Sequence, residues 1–319
     1  MYSVIISSLL PIFLVLGVGR ALRGCGFLPA EFFTQLNRLA FYVGLPALLF
    51  SRIATSPLEG GPALRILWVV LAATAVVTAV AFVLTSHLHL EDPGRGAFIQ
   101  GAMRGNLAYI GLPVIIYSLT SDGLAGSGVE TTAMLVLAPS VPVYNIVAVL
   151  LLTRFGRPDG KSGPPSVSAL ALAGRVLRNP LLIACLLGLL VAWTGLDMPV
   201  FLMRTLEPLS QMALPLALLA IGASLVRSKD QPVRDKWPTV IASLLKIGLA
   251  PALGYLFGRL FGLPPGELRM ALIFLACPTA ITSYVMAQQL GADEQLAGDV
   301  VVLTTVLSFF SLALVLTLV

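Results

Sequence analysis

The stretch at residues 104–119, RGNLAYIGLPVIIYSL, has polar and helix-breaking residues in the middle of an otherwise apolar segment. These residues are Gly105, Asn106, Gly111 and Pro113. A proline inside a membrane-spanning helix frees a backbone carbonyl that water cannot reach, so it is tolerated only where protein or a polar cavity satisfies that carbonyl. We therefore predict a helix that is interrupted at mid-depth in a membrane.

A second stretch, FLACPTAITSYVMAQQL at residues 274–290, repeats this pattern near the other end of the chain. Here Pro278 is followed by the hydroxyl side chains of Thr279, Thr282 and Ser283. A matched pair of interrupted helices indicates a substrate site at the membrane midplane, where half-helix N-termini turn partial positive charge toward an anion. Simple kinks in two continuous helices are the alternative, but the clustering of polar side chains favours a functional site.

The composition of the 319-residue chain places both stretches in a membrane. Hydrophobic residues make up 57% of the sequence and charged residues only 11%, whereas soluble domains carry about 25% charged residues. This excludes a water-soluble enzyme. Because one helix needs roughly 20 residues to cross the hydrocarbon core, the length accommodates about ten spans.

The apolar segments fall into two groups of five around a polar stretch. We predict an all-α polytopic membrane protein in which residues 1–153 form the first five-helix repeat, residues 154–175 a cytoplasmic linker and residues 176–319 the second repeat. Because five is odd, the second repeat must be inverted relative to the first, as in many secondary transporters. The ten predicted spans lie near residues 3–22, 32–53, 63–86, 96–120, 129–153, 176–194, 200–226, 237–261, 268–289 and 295–318.

The basic residues predict the orientation of these spans. Thirteen Lys and Arg fall on one side of the membrane, and five fall on the other, namely Arg52, Arg65, Arg204, Arg259 and Arg269. Because Lys and Arg concentrate on the cytoplasmic side, both termini are expected on the non-cytoplasmic side of the cell membrane. The basic residues that give the net charge of +5 are scattered singly between apolar stretches. We therefore expect the lipid bilayer as a partner, and no nucleic acid.

The acidic residues argue against several kinds of membrane protein. All fifteen Asp and Glu lie in predicted loops or near span ends, whereas a cation antiporter or an intramembrane aspartyl protease needs acids at mid-membrane. No HExxH motif is present, and His87 and His89 lie beside a loop. We therefore expect no enzyme, no catalytic residue, no metal site and no cofactor, while H⁺ and Na⁺ remain open as coupling ions.

Two basic residues lie within predicted spans, Arg104 in the fourth and Lys246 in the eighth. Unpaired charges at that depth are costly and are candidates for function, although each side chain could instead snorkel to the interface. For Arg104 the two interpretations stay open, and for Lys246 snorkelling is preferred. Basic side chains and helix N-termini without buried acids favour a carboxylate over a cation or a neutral sugar as substrate.

The fifth span adds Tyr144 and Asn145, a phenol and an amide in an aliphatic helix. Both groups need hydrogen-bond partners within a membrane. They either bond neighbouring helices or line the same cavity as Asn106, and the residues themselves leave both interpretations open.

The sequence resembles the auxin efflux carrier family over nearly its whole length. This family includes the plant PIN-FORMED carriers and bacterial malate and malonate permeases, and it is similar to the wider bile acid/sodium symporter-like superfamily. The segments that carry the resemblance are LNRLAFYVGLPALLF at 36–50, RGNLAYIGLP at 104–113, VYN at 143–145, LPLALLAIGASL at 214–225 and ACPTAITSYVMAQQLGADEQLAG at 276–298.

The resemblance implies ten helices in two inverted five-helix repeats, with the fourth and ninth helices broken at Pro113 and Pro278 and crossing each other. It implies a scaffold from helices 1, 2, 6 and 7, a transport domain from helices 3–5 and 8–10, and a homodimer that pairs through the scaffold. It also implies that Asn106, Tyr144 and Asn145 contact a carboxylate ligand. The large hydrophilic loop of the long plant members has no counterpart here, which puts regulation through that loop and auxin as the substrate in doubt.

We accordingly expect a secondary transporter that moves a small organic anion, such as malate, malonate or an auxin-like acid, by an elevator mechanism. Two alternatives remain: a sodium-coupled symporter of bile-acid-like or neutral solutes, and a membrane sensor that does not transport. Arg104 and Lys246 are expected to bias the site positive. The expected substrate-binding residues are Asn106, Tyr109, Gly111, Pro113, Tyr144, Asn145, Pro278, Thr279, Thr282 and Ser283.

Overall fold

The computed structural model describes residues 2–55, 60–88, 90–121, 128–156, 180–224 and 236–318, and these residues are almost entirely helical, with no strand among them. The α-helices in chain order are α1 (Tyr2–Gly24), α2 (Ala30–Leu39), α3 (Leu45–Ala54), α4 (Gly60–His87), α5 (Asp92–Met103), α6 (Leu112–Ser121), α7 (Val129–Phe155), α8 (Pro180–Thr194), α9 (Val200–Gln211), α10 (Ala213–Ser224), α11 (Trp237–Leu244), α12 (Ala250–Leu260), α13 (Pro265–Ala276), α14 (Thr282–Gln289) and α15 (Glu294–Leu318).

Among the described residues, five helical stretches are long and apolar enough to cross a membrane. They are Gly61–His87, Val129–Phe155, Val200–Ala223, Trp237–Leu260 and Glu294–Leu318. The all-helical membrane class is therefore confirmed, whereas ten spans in two inverted repeats stay a prediction. Most of the predicted linker, at 157–175, lies outside the described residues.

Three α-helices follow directly on a π-helical turn, and each has a proline at its second residue. The π-helical turns are Ala40–Gly44, Leu107–Gly111 and Leu245–Leu249, and the prolines are Pro46, Pro113 and Pro251. A proline has no N–H and its ring crowds the carbonyl four residues back, and a wider turn accommodates both. Pro113 thus lies inside helical structure. The interruption expected at this proline is found upstream, between Met103 and Leu107.

The chain divides into two units of dense internal contact. Unit 1 comprises Met1–Leu64, Ala108–Pro139 and Gly174–Asp230, and unit 2 comprises Arg65–Leu107, Ser140–Ala173 and Gln231–Val319. Unit 1 therefore contains α1, α2, α3, α6, α8, α9 and α10. Unit 2 contains α5 and α11–α15, together with nearly all of α4, and α7 changes unit after Pro139.

Within unit 1, α1 packs against α10 with the two backbones in direct contact. A Cβ on Gly19 would lie 2.2 Å from the carbonyl oxygen of Leu219, and a Cβ on Gly222 would lie 1.9 Å from that of Leu16. Glycine at such positions lets two helices approach closely, and van der Waals packing of this kind drives helix association in lipid. This helix pair therefore depends on the absence of side chains.

Within unit 2, the helices α5, α11 and α13 pack against α15. Gly101 on α5 allows this approach, because a Cβ there would lie 3.1 Å from the side chain of Val300. Phe98 on α5 and Phe274 on α13 are fully buried. The apolar core of unit 2 thus holds the C-terminal ends of α5 and α13, where both helices stop.

Candidate functional site

Two non-helical segments pair with each other inside unit 2, and we call residues 104–106 and 277–281 the paired segments. Gly105 and Thr279 form an isolated antiparallel bridge between them. Backbone hydrogen bonds of 2.8 Å and 3.0 Å join the same two segments on either side of this bridge. The pairing satisfies backbone groups that the ends of two helices otherwise leave unbonded in a membrane.

The helix α13 stops before Pro278 for a reason that its sequence explains. Pro278 has no N–H to donate to the carbonyl of Phe274, four residues earlier. The next amide, that of Thr279, donates to the Thr304 hydroxyl at 3.0 Å and so does not bond the carbonyl of Leu275. Two carbonyls at the end of α13 thus lose their helical donors at the paired segments.

Lys246 supplies a donor to one of these carbonyls. It lies in the π-helical turn Leu245–Leu249, is 1% exposed, and donates from Nζ to the carbonyl oxygen of Leu275 at 2.7 Å. Its ammonium group also lies 3.3 Å from the position that a Cβ on Gly105 would occupy. The preferred interpretation from sequence, that this side chain snorkels to the interface, is therefore wrong, because the ammonium is enclosed by unit 2.

Arg104 is a second buried cation at the paired segments, and it is 5% exposed. Its Nη2 donates to Oδ1 of Asn145 at 2.5 Å, and its Nη1 points to the sulfur of Met286. A thioether is a weak acceptor for a guanidinium. Neither Arg104 nor Lys246 forms a salt bridge with a residue that the structure describes; the ion pairs found there lie elsewhere, at Arg52, Arg65 and Arg95.

Tyr144 and Asn145 both have hydrogen-bond partners within unit 2. The Tyr144 hydroxyl lies 2.9 Å from the Thr74 hydroxyl on α4, and Asn145 accepts its bond from Arg104. Of the two interpretations left open by the sequence, the structure thus shows bonding to a neighbouring helix for Tyr144. Asn145, by contrast, bonds a residue of the paired segments through its contact with Arg104.

Two fully buried polar side chains of unit 2 have an atom without a hydrogen-bond partner among the described residues. One is Ser283 Oγ at the second residue of α14, and the other is Gln100 Oε1 on α5. Both residues are 0% exposed. An unsatisfied buried polar group costs about 1–3 kcal/mol, so these two groups are kept at the expense of stability.

The other residues predicted for the site divide between the two units. Asn106, Pro278, Thr279 and Thr282 belong to unit 2, with Asn106 buried. The Thr279 hydroxyl donates to a backbone carbonyl of α5 at 2.7 Å. Tyr109, Gly111 and Pro113 are buried too but belong to unit 1. Nine of the twelve predicted residues therefore belong to unit 2: Arg104, Asn106, Tyr144, Asn145, Lys246, Pro278, Thr279, Thr282 and Ser283.

Sequence reasoning missed Met286, whose sulfur lies against the Arg104 guanidinium, and Gln100, which bonds that sulfur. Gln100 Nε2 donates to the Met286 sulfur at 3.9 Å. The signal for Gln100 is its position four residues before Arg104 in a stretch, 96–103, that is otherwise apolar, since residues four apart on a predicted helix share a face. Met286 carries no comparable signal, because methionine is an ordinary filler of apolar cores.

The described residues hold no group of three or more His, Cys, Asp or Glu side chains that could bind a metal ion. A separate cavity of about 400 Å³ lies in unit 1 between the end of α3 and the helix α9. Arg52, Arg204 and Glu207 are among the residues that line it. None of the residues predicted for the site lines this cavity, so the paired segments of unit 2 remain the candidate site.

Comparison with known proteins agrees with a membrane carrier. A sequence model of the family described as "Membrane transport protein" matches residues 4–316. A protein of Rhizobium meliloti named "Putative malonate transporter" is 27% identical over 283 residues, which is 88% of this chain and 85% of that protein. An uncharacterized transporter of Methanocaldococcus jannaschii is 25% identical over 91% of this chain and 90% of its own. One from Methanothermobacter thermautotrophicus is 24% identical over 96% of each.

Proposed function

Because the chain belongs to the membrane transport protein family, the auxin efflux carrier family that its sequence resembles, we propose that this multi-pass membrane transporter is a secondary carrier of small organic anions. The observation that carries the proposal is the burial of two cations, Arg104 and Lys246, at the paired segments without a carboxylate partner among the described residues. Charges buried in a membrane protein face its interior, pair with other groups and mark substrate pathways. The missing negative partner is, in this proposal, the substrate.

Neutral donors at the same place favour a carboxylate. The helix α14 begins at Thr282, beside the paired segments, and a helix N-terminus presents free N–H groups and partial positive charge to an anion. The Ser283 hydroxyl, which has no partner among the described residues, adds a donor at this helix end. Asn106 lies within the paired segments and adds an amide. Carboxylates accept such hydrogen bonds through two oxygens.

The substrate that we propose is a short dicarboxylate of the malonate or malate type. Two buried cations suit a ligand with two negative charges better than a neutral solute, because each charge removed from water needs compensation. The name of the Rhizobium meliloti relative supports the same class. Bile-acid-like and neutral solutes, by contrast, would leave at least one cation uncompensated.

For the mechanism, we propose an elevator built from ten helices in two inverted repeats, with helices 3–5 and 8–10 as the moving transport domain and helices 1, 2, 6 and 7 as the scaffold. Unit 1 contains helices 1, 2, 6 and 7, which supports this scaffold, but it also contains residues 108–139 of helices 4 and 5. We further propose that two copies pair through the scaffold in the cell membrane and that both termini lie on the non-cytoplasmic side. Cysteine accessibility at each terminus in intact cells tests this orientation.

The experiment that tests the function is counterflow of radiolabelled malonate into liposomes that contain the purified protein. The expected result is saturable uptake that unlabelled malonate and malate inhibit and that the neutral diamide malonamide does not. Uptake of a neutral solute that requires sodium would contradict the proposal and support the symporter alternative. Binding of malonate without any flux would contradict it in favour of a sensor.

A further inference from the structure

The ammonium group of Lys246 occupies a position at which a metal cation from solution would otherwise be expected to bind. The last carbonyls of a helix lack intrahelical donors and carry partial negative charge. At the end of α13, the carbonyl of Leu275 has lost the amide of Thr279 to the hydroxyl of Thr304. Lys246 Nζ bonds this carbonyl at 2.7 Å.

The surroundings of this ammonium group have the chemistry of a site for a hard cation. Hard cations are bound by carbonyl, carboxylate and hydroxyl oxygens, and carriers with discontinuous helices bind their coupling ions at unwound carbonyls and half-helix C-termini. The carbonyl of Phe274, which Pro278 deprives of an amide donor, lies 3.4 Å from the Cβ position of Gly105, on which Lys246 Nζ also converges at 3.3 Å. A positive charge belonging to the protein is therefore already bound to one of the carbonyl oxygens at the end of α13.

Gly105 lets the ammonium group of Lys246 come close to the paired segments. Because it has no side chain, the ammonium group lies directly against the backbone of the residue that follows Arg104. An ammonium has three N–H donors, and within the described residues only the carbonyl of Leu275 accepts one. The other two donors can face an anion held at the paired segments.

We propose that Lys246 is a covalently attached counter-cation that replaces a dissolved coupling cation, so that anion transport by this chain requires no metal cation. This inference rests on the proposed function, because it concerns the same anion site. A second cation next to the fixed ammonium is repelled, whereas an anion is attracted. Transport then responds to the anion gradient and the membrane potential, and a sodium gradient does not drive it.

The first arm of the test uses the wild-type protein in liposomes. Counterflow of radiolabelled malonate is measured with sodium, potassium or N-methylglucamine as the sole cation inside and outside. The expected rates agree among the three cations. A rate that rises with sodium overturns the inference while leaving the proposed function intact, whereas a wild-type protein that moves no carboxylate in any medium contradicts the proposed function itself.

The second arm uses Lys246→Ala, with Lys236→Ala as the matched control, since Lys236 is an exposed basic residue at the start of the same helical stretch. In N-methylglucamine medium, Lys246→Ala is expected to lower malonate uptake about tenfold or more, because it leaves a buried anion without its partner. Added methylammonium should restore part of the lost rate in Lys246→Ala and change nothing in Lys236→Ala.

Folding of the variants is checked by thermal denaturation and size-exclusion chromatography before transport is compared. If Lys246→Ala does not fold, Lys246→Met keeps the apolar stem, and its uptake is measured with N-methylglucamine and with sodium. Loss of uptake in the first medium and partial recovery in the second supports the inference. Wild-type rates for a folded Lys246→Ala or Lys246→Met in N-methylglucamine medium overturn it.

Discussion

The contact between α1 and α10 in unit 1 and the paired segments of unit 2 are both close approaches of two backbones, but they are made differently. In unit 1, Gly19 and Gly222 let two regular helices meet without a polar side chain. In unit 2, two helices end, and backbone groups of the segments that follow them bond one another. The cations Arg104 and Lys246 are buried beside these segments. The first arrangement maximises packing, whereas the second keeps polar groups that packing alone would exclude.

This difference indicates which part of the molecule handles a ligand. Isolated buried charges and unsatisfied hydroxyls lower stability, so their concentration at one place indicates a role other than folding. Residues of unit 1 at the helix contact should therefore control folding with no direct effect on the anion. Residues at the paired segments should control transport with little effect on folding.

The largest expected effect is the loss of folded protein on Gly222→Leu. A Cβ at this position lies 1.9 Å from the backbone of Leu16, and because backbone cannot move aside, overpacking should cost about 3 kcal/mol or more. The matched control is Gly17→Leu on α1, where a Cβ meets nothing within 4 Å. For both variants, the yield of monodisperse protein and its melting temperature in detergent are measured. Equal yields for the two variants would show that α1 and α10 are not in direct contact.

The next largest expected effect is that of Arg104→Gln, which should lose transport without losing stability. Removing one member of a buried, hydrogen-bonded charge pair costs about 2–5 kcal/mol, so malonate uptake should fall about thirtyfold or more. The melting temperature without ligand should stay constant or rise, because an uncompensated buried charge is removed.

Arg95→Gln is the control for Arg104→Gln, because Arg95 lies on α5, the helix that precedes Arg104, and pairs with Asp92 near its start. Its uptake should match that of the wild type. If Arg104→Gln unfolds the protein while Arg95→Gln does not, Arg104 serves the stability of unit 2 and the assignment to the substrate fails.

A smaller effect is expected for Ser283→Ala. The Ser283 hydroxyl has no partner among the described residues, so the melting temperature should not fall, while loss of one donor to a carboxylate, worth about 1 kcal/mol, should raise KM for malonate about fivefold. Ser308→Ala is the control, since the Ser308 hydroxyl bonds the carbonyl of Thr305 within α15. An unchanged KM in Ser283→Ala would remove this hydroxyl from the site.

The smallest effect on transport is expected for Tyr144→Phe. Because the Tyr144 hydroxyl bonds Thr74, its removal should lower the free energy of unfolding by about 1 kcal/mol and leave uptake nearly unchanged. A double-mutant cycle with Thr74→Val measures the coupling between the two hydroxyls. A large rise in KM for Tyr144→Phe with no coupling to Thr74 would instead make this hydroxyl a substrate ligand.

The all-helical membrane class could be predicted from the sequence, because apolar runs and their breaks are local properties. The stop before Pro278 follows from a missing N–H, and it was expected. The first break was expected at Pro113, but the structure has it between Met103 and Leu107. The expectation was too far along the chain because proline looked like the breaking residue. Gly105 and Asn106 are themselves poor helix formers, and a π-helical turn relieves the crowding that Pro113 causes.

The errors at the site have a different origin, since they concern directions of side chains. From the sequence alone, Lys246 looks like a snorkelling residue. The π-helical turn Leu245–Leu249 and the hydrogen bond to the carbonyl of Leu275 hold it inside unit 2. The contact of Asn145 with Arg104 joins residues that are 41 positions apart in the sequence. Neither contact leaves a periodic pattern that sequence analysis can detect.

The measurement that tests the central claim most directly compares malonate with malonamide as stabilisers of the purified wild-type protein. The two molecules have nearly the same size, and only malonate carries negative charge. A ligand that binds the folded state raises the melting temperature by mass action, so malonate should raise it in a concentration-dependent way and malonamide should not. Equal shifts for the two compounds, or a shift with malonamide alone, would contradict an anion site built on Arg104 and Lys246.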